Sequence, residues 1–140
     1  MTREQQIDLA AFILRLALGS MFIAHGFLKV MVFTLPGTAQ FFDSVGFAGW
    51  MAYPVTLLEI LGGTLLVLGV ATRWIAIALI PVLLGALFVH LGNGWLYTNA
   101  NGGWEYAAVL SVACVVQVLL GGGTYTLRQL IPGVGKLAQT

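Results

Sequence analysis

The stretch PVTLLEILGGTLLVLGVATRWIAIALIPVLLGALFVHL, Pro54–Leu91, decides the fold. Two apolar runs, about Pro54 to Val70 and about Trp74 to Leu91, flank the short link Ala71-Thr72-Arg73. Each run approaches the roughly 17–25 residues that a helix needs to cross a bilayer. So short a link forces the two into an antiparallel helical hairpin. Arg73 in the link is a charge held at one membrane face, and Glu59 lies inside the first run.

Two more runs lie outside this hairpin. One is about Leu9 to Phe33 and the other about Glu105 to Leu120. The expectation is a single all-α domain over residues 1–140, an integral membrane four-helix bundle. Composition agrees. The 140 residues are 59% hydrophobic and 8% charged, with net charge +1. A soluble domain carries about 25% charged residues. The mean hydropathy is +0.96. The small net charge and the lack of a basic cluster point away from nucleic acid. Cys114 stands alone, which excludes an intrachain disulfide and a CxxC redox motif. The first run reads as a retained span rather than a cleaved signal. Arg15, His25 and Lys29 interrupt it, and it exceeds an apolar signal core of about 7–15 residues.

Arg3, Arg73, Arg128 and Lys136 all fall on the side of the termini, while the loops Thr34–Tyr53 and Gly92–Trp104 contain no Lys or Arg. The positive-inside rule places both termini in the cytoplasm, with Arg15 snorkelling toward that face. Trp50, Tyr53, Trp95, Tyr97, Trp104 and Tyr106 crowd the outer interface. In the first outer loop, Thr38–Val45 places Phe41, Phe42 and Val45 on one side, which predicts a short interfacial helix. The second outer loop is turn-rich and predicts no regular structure. Gly19, Gly26, Gly62, Gly63, Gly69 and Gly85 supply small residues for helix contact in lipid. Gly121–Gly123 reads as the stop of the fourth span.

Function rests on six polar residues in or beside the spans: Arg15, His25, Lys29, Glu59, His90 and Glu105. An ionisable group inside a membrane is costly and turns toward protein or a water-filled cavity. At 1.5 Å per residue, His25 lies about 12 Å and Lys29 about 6 Å from the outer end of the first span. Glu59 lies about 8 Å below the outer start of the second span. His90 ends the third and Glu105 opens the fourth, so every helix adds to an outer polar layer. Arg15, His25 and Lys29 share an arc of about 80°. Glu59 is expected to meet this stripe at Lys29 or His25.

Such a layer suits a redox or proton-handling site, because histidine titrates near neutral pH and quinones need proton donors and acceptors at headgroup depth. His25, Lys29 and Glu59 are the candidate catalytic residues. Arg15, His90 and Glu105 are the candidate substrate-binding residues. No metal is assigned: the Glu-x-x-His pattern of di-iron bundles is absent, and Lys29 would repel a cation. The Gly-Gly-Gly run lacks a following Lys-Ser/Thr and is no phosphate loop. Two other readings stand beside the redox one. The layer could be a self-neutralising lock in a scaffold or assembly subunit, or the lining of a small transporter or channel.

The ordered series Arg15, His25-Gly26, Lys29, Leu58-Glu59-Ile60-Leu61-Gly62-Gly63, Gly69, Thr72-Arg73, His90, Glu105-Tyr106 and Gly121–Leu127 resembles the DoxX family of small bacterial membrane proteins. The resemblance covers about Leu14 to Leu127. Arg128 departs from the family pattern, where many relatives carry Asp. The resemblance implies a four-helix bundle of the bacterial inner membrane, multi-pass and often tied to redox work. It leaves the cofactor open, with quinone as the candidate, and implies other membrane or redox subunits as partners; the exposed helix surface of so small a protomer adds further copies of the chain as a candidate partner. The leading expectation is therefore an inner-membrane redox-associated subunit, with a quinone or small reductant held at the outer polar layer.

Overall fold

A computed structural model describes residues 1–130. Lys136, counted above among the inner charges, lies outside the described residues. The chain is helical throughout, with no strand among the described residues. Its helices are α1 (Arg3–Met31), α2 (Leu35–Ser44), α3 (Ala52–Leu68), α4 (Thr72–His90), α5 (Glu105–Leu120) and α6 (Leu127–Leu130). Short 3-10 turns, Gly49–Met51 and Leu91–Asn93, precede α3 and follow α4. Three continuous helical stretches are long and apolar enough to cross a membrane: α1, Gly49–Leu68 and Thr72–Asn93. α5 is apolar but shorter.

α1 starts well before Leu9, where the apolar run begins. Thr2 and Gln5 form a reciprocal capping box: Gln5 N–H donates to the Thr2 hydroxyl at 3.2 Å, and Thr2 N–H donates to Gln5 Oε1 at 2.9 Å. Hydropathy marks the part of a helix that suits lipid, not where the helix ends. With 29 residues, α1 is about 43 Å long, beyond the roughly 30 Å of a hydrocarbon core.

The hairpin link is as short as the sequence expectation but lies two residues earlier, at Gly69–Ala71. α3 ends on Gly69 at φ +69°, with Gly69 N–H donating to Leu66 O at 3.0 Å and Val70 N–H to Leu65 O at 2.9 Å. This left-handed cap stops the helix and satisfies its last carbonyls. Ala71 also takes positive φ, and α4 begins at once, so Thr72 and Arg73 belong to the helix rather than the link.

Packing closes a ring. α1 lies most extensively on α3 and α4 on α5, while α3–α4 and α5–α1 contacts complete it. The α1–α3 seam is antiparallel: Gly19 sits against Gly63, and Gly26 against Ile60. A Cβ on Gly19 would meet Gly63 O at 2.6 Å, and one on Gly63 would meet Gly19 O at 2.7 Å. Such backbone-to-backbone approach admits no side chain on either helix. Inside the ring, Leu18, Phe22, Leu66, Ala76, Leu79, Leu83 and Cys114 form the core. Outside, Leu57, Leu61, Leu84, Val109, Val112 and Leu119 are each half or more exposed. An apolar surface this extensive suits lipid rather than water. The hydroxyls of Thr56, Thr64 and Ser111 donate to carbonyls one turn back in their own helices at 2.7 Å, so they add no polar cost.

α2 begins at Leu35 rather than Thr38. Pro36-Gly37 reads as a breaker in sequence. However, proline is tolerated in a first helical turn, and the Thr34 hydroxyl accepts Gly37 N–H at 3.2 Å. The second loop is also more ordered than its turn signals imply. It folds back on itself through Trp104 N–H to Gly94 O and Glu105 N–H to Trp95 O, both 3.1 Å, and Trp95 packs edge-on to Trp104.

Candidate functional site

The antiparallel α1–α3 seam sets Lys29 opposite Glu59. Lys29 Nζ donates to both carboxylate oxygens, at 2.8 and 2.7 Å. It is the one ion pair among the described residues. The Glu59 side chain is 6% exposed and that of Lys29 19%. A carboxylate this deep is retained only when paired. The ammonium has three donors and spends two on Glu59, leaving one.

One turn back, His25 shares the inward arc of α1. Its Nδ1 lies 2.8 Å from Met21 O. A carbonyl only accepts, so Nδ1 carries a proton, and in the neutral ring Nε2 is the acceptor. Tyr106, in the first turn of α5, sets its ring 5.8 Å from the His25 ring and donates its hydroxyl to Met21 Sδ at 3.4 Å. Three helices thus meet here: α3 brings the acid, α1 the base and ammonium, and α5 the phenol. In the sequence Tyr106 stands out as an interface aromatic and in the Glu105-Tyr106 pair, but not as a site residue. Its place in the first turn of α5, beside Glu105, was the available signal.

His90 and Glu105 are engaged elsewhere. His90 Nδ1 faces Asn101 O and Gly102 O at 3.1 Å, and Asn93 Nδ2 donates to the same two carbonyls at 3.1 and 2.9 Å. Glu105 Oε1 accepts Tyr97 N–H at 3.0 Å. Both residues hold the second loop closed, and no recorded polar contact joins them to Lys29 or Glu59. Shared depth did not mean shared direction.

Arg15 corrects the sequence expectation outright. It does not snorkel; it is 0% exposed. Fourteen residues separate it from Lys29, or about 21 Å along α1. All five of its hydrogen bonds go to backbone carbonyls. Nε donates to Gly122 O at 2.9 Å, one terminal nitrogen to Leu66 O (3.1 Å) and Val67 O, and the other to Thr124 O (2.9 Å) and Tyr125 O (2.8 Å). Five bonds use every donor of a guanidinium, so none is left for a ligand. The acceptors are C-terminal carbonyls of α3 and carbonyls of the loop after α5. Both carry partial negative charge, which offsets the cation without a carboxylate. Gly121 and Gly123, at φ +78° and +65°, let that loop fold back. The Gly-Gly-Gly run is therefore a wrap around Arg15 as well as a helix stop. Next to it, Gln117 is 0% exposed and donates to Gly121 O at 2.7 Å. Sequence reading passed over Gln117, although it is the strongest polar signal inside α5.

An apolar groove of about 250 Å³ runs between Met51, Val55 and Leu58 on the α3 side and Ala78, Pro81 and Val82 on α4. Pro81 gives no N–H to the carbonyl of Ile77, which loosens α4 at this depth. Among the described residues no group of His, Cys, Asp and Glu is placed to hold a metal.

Comparison with known proteins adds a family. The profile described as DoxX matches residues 10–92. That segment contains Arg15, His25, Lys29, Glu59 and His90 and stops before Glu105 and the Gly121–Tyr125 wrap. A protein of Bacillus subtilis (strain 168), named "Putative oxidoreductase CatD", is 34% identical over 84 residues, or 60% of this chain and 61% of that protein. The chain thus spans about three fifths of the length of this curated relative. No solved structure matches.

Proposed function

The chain belongs to the DoxX family, and from that premise we propose that it is a redox-associated membrane subunit binding a quinone or small reductant at Lys29, His25 and Glu59. In this reading α1, α3, α4 and α5 all cross the bilayer of the bacterial inner membrane. Both termini are cytoplasmic, and α2 lies in the outer interface. The observation that carries the proposal is the Lys29–Glu59 pair, with one ammonium donor uncommitted and the His25 Nε2 lone pair one turn away. These two groups offer what a quinone oxygen needs in its two states. Lys29 donates to a carbonyl oxygen, and His25 accepts from a hydroxyl. Glu59 holds the ammonium in place and keeps the charge balanced. Tyr106 walls the His25 side, and the α3–α4 groove offers room for an apolar tail. Electrons pass to or from a partner subunit. Arg15 is assigned to holding the fold, and His90 and Glu105 to shaping the outer loop.

One observation favours a non-catalytic scaffold instead: the pair is closed on both carboxylate oxygens, which suffices to fasten α1 to α3. Titration of a short-chain ubiquinone into purified protein, read by fluorescence of the outer tryptophans, separates the two. The redox reading requires saturable quenching that His25→Ala weakens by tenfold or about 1.4 kcal/mol. Absence of binding, or equal binding by the variant, leaves the scaffold.

A further inference from the structure

We infer that α2 is a hinged cap over the outer end of the Lys29–Glu59 pair and the gate through which a ligand reaches it. This rests on the reading that the pair is the ligand site. On α3, Ala52, Thr56, Glu59 and Gly63 follow one another at helical spacing and are all buried. α1 covers Glu59 and Gly63. It ends at Met31, two residues past Lys29, so it has almost no helix left to cover Thr56 and Ala52, one and two turns farther out. Yet Ala52 is 0% and Thr56 3% exposed. α2 packs on α3, and Asp43 near its end bonds to Gly49, just before α3 begins. Thr38, its buried residue, sends its hydroxyl toward Lys29 O at 3.4 Å and Thr34 O at 2.9 Å.

The cap is jointed at both ends. Thr34, its N-cap, holds φ +62° with ψ 152°, a region that costs a β-branched residue energy. Gly46, just past its end, holds φ +92° with nothing within 4 Å of where a Cβ would sit. Between Gly46 and α3, Phe47 reaches across to α4: its ring lies 5.9 Å from Phe88 and 6.1 Å from Phe42, and it faces Gly85. Asp43 Oδ1 accepts Gly49 N–H at 2.7 Å and ties α2 to the start of α3. The cap is therefore held by an aromatic latch and one polar tie, between two joints. Its outer surface, with Phe41 half exposed, stays in the interface while it swings.

The test places a cysteine beneath the cap. Thr56→Cys in the full chain is labelled with a water-soluble maleimide, alone and combined with Phe47→Ala or Trp50→Ala. Loss of the latch should raise the labelling rate about tenfold, because an aromatic pair and its packing hold the closed state. Trp50→Ala, outside the latch, should leave the rate unchanged, and the buried Cys114 should stay unlabelled throughout. Equal labelling with and without Phe47→Ala overturns the proposal. So does Cys114 labelling that rises in step, since that reports loosening of the whole bundle. If Thr56→Cys does not fold, Ala52→Cys serves the same purpose. Binding of a short-chain ubiquinone by the same proteins is scored separately. A gated Thr56→Cys in a protein that never binds quinone keeps the cap and removes the quinone reading; quinone binding with ungated labelling does the reverse.

Discussion

Replacing Arg15 with Met should be the most damaging single change in the chain. The side chain is nearly isosteric but has no donor. Of the five carbonyls it serves, Leu66 O keeps Gly69 N–H, whereas Val67, Gly122, Thr124 and Tyr125 have no second recorded donor among the described residues. A hydrogen bond left unmade costs about 1 kcal/mol when water can partly reach the group, so four amount to about 4 kcal/mol. That agrees with the roughly 3–5 kcal/mol lost on breaking a buried charged network. It is a large share of a typical total of about 5–15 kcal/mol. The assay is thermal unfolding of the purified protein in detergent, followed by circular dichroism. Arg15→Met should lower Tm by about 10 °C or more. Arg15→Lys keeps the charge but has three donors for five acceptors, and should fall between. Limited proteolysis should cut Arg15→Met first after Leu120, where the wrap has lost its anchor. An unchanged Tm for Arg15→Met would refute the reasoning. A normal Tm with lost quinone binding would return Arg15 to the ligand site.

Glu59→Gln strands the Lys29 ammonium and should cost about 2–4 kcal/mol, reduced from the full buried-pair value because Lys29 is partly exposed. The double variant Lys29→Met/Glu59→Leu should recover most of that loss in the same unfolding assay. Gly63→Ala drives a methyl into Gly19 O and Ile23 and should cost about 1–3 kcal/mol, while Gly85→Ala, facing only Phe47 at 3.8 Å, should be tolerated. His90→Ala removes the link to Asn101 and Gly102, and should speed amide exchange at Tyr97, Trp104 and Glu105 with little change at Lys29 or Glu59.

Much of the architecture was legible because lipid imposes simple rules. The apolar run Glu105–Leu120 coincides with α5, and a hairpin link was legible at Ala71–Arg73, two residues past where it lies. What sequence carried poorly was direction around a helix and contact between distant segments. Depth placed His90 and Glu105 level with the polar layer, yet turn geometry in the second loop rotates them toward Asn101, Gly102 and Tyr97. Arg15 sits near an expected membrane face, so snorkelling was the natural reading. Three of its five partners lie more than a hundred positions along the chain, and all five are backbone atoms, which no pattern of side chains announces. The start of α1 was missed because a capping box extends it through polar residues.

The six polar residues that drew attention therefore divide by how completely the chain satisfies them. Arg15 spends every donor on carbonyls and can do no chemistry without unfolding its surroundings. His90 and Glu105 spend their recorded bonds on loop backbone. Only at Lys29 and His25 does a polar atom remain uncommitted beside a charged partner, and there the covering element is a short helix on two joints rather than a span. Between this layer and Arg15 lies the Gly19–Gly63 seam and a core of Leu18, Phe22 and Leu66, with backbones touching and no polar side chain buried among them. On the proposed reading, that tightly packed apolar stretch leaves the α2 side as the approach to Lys29.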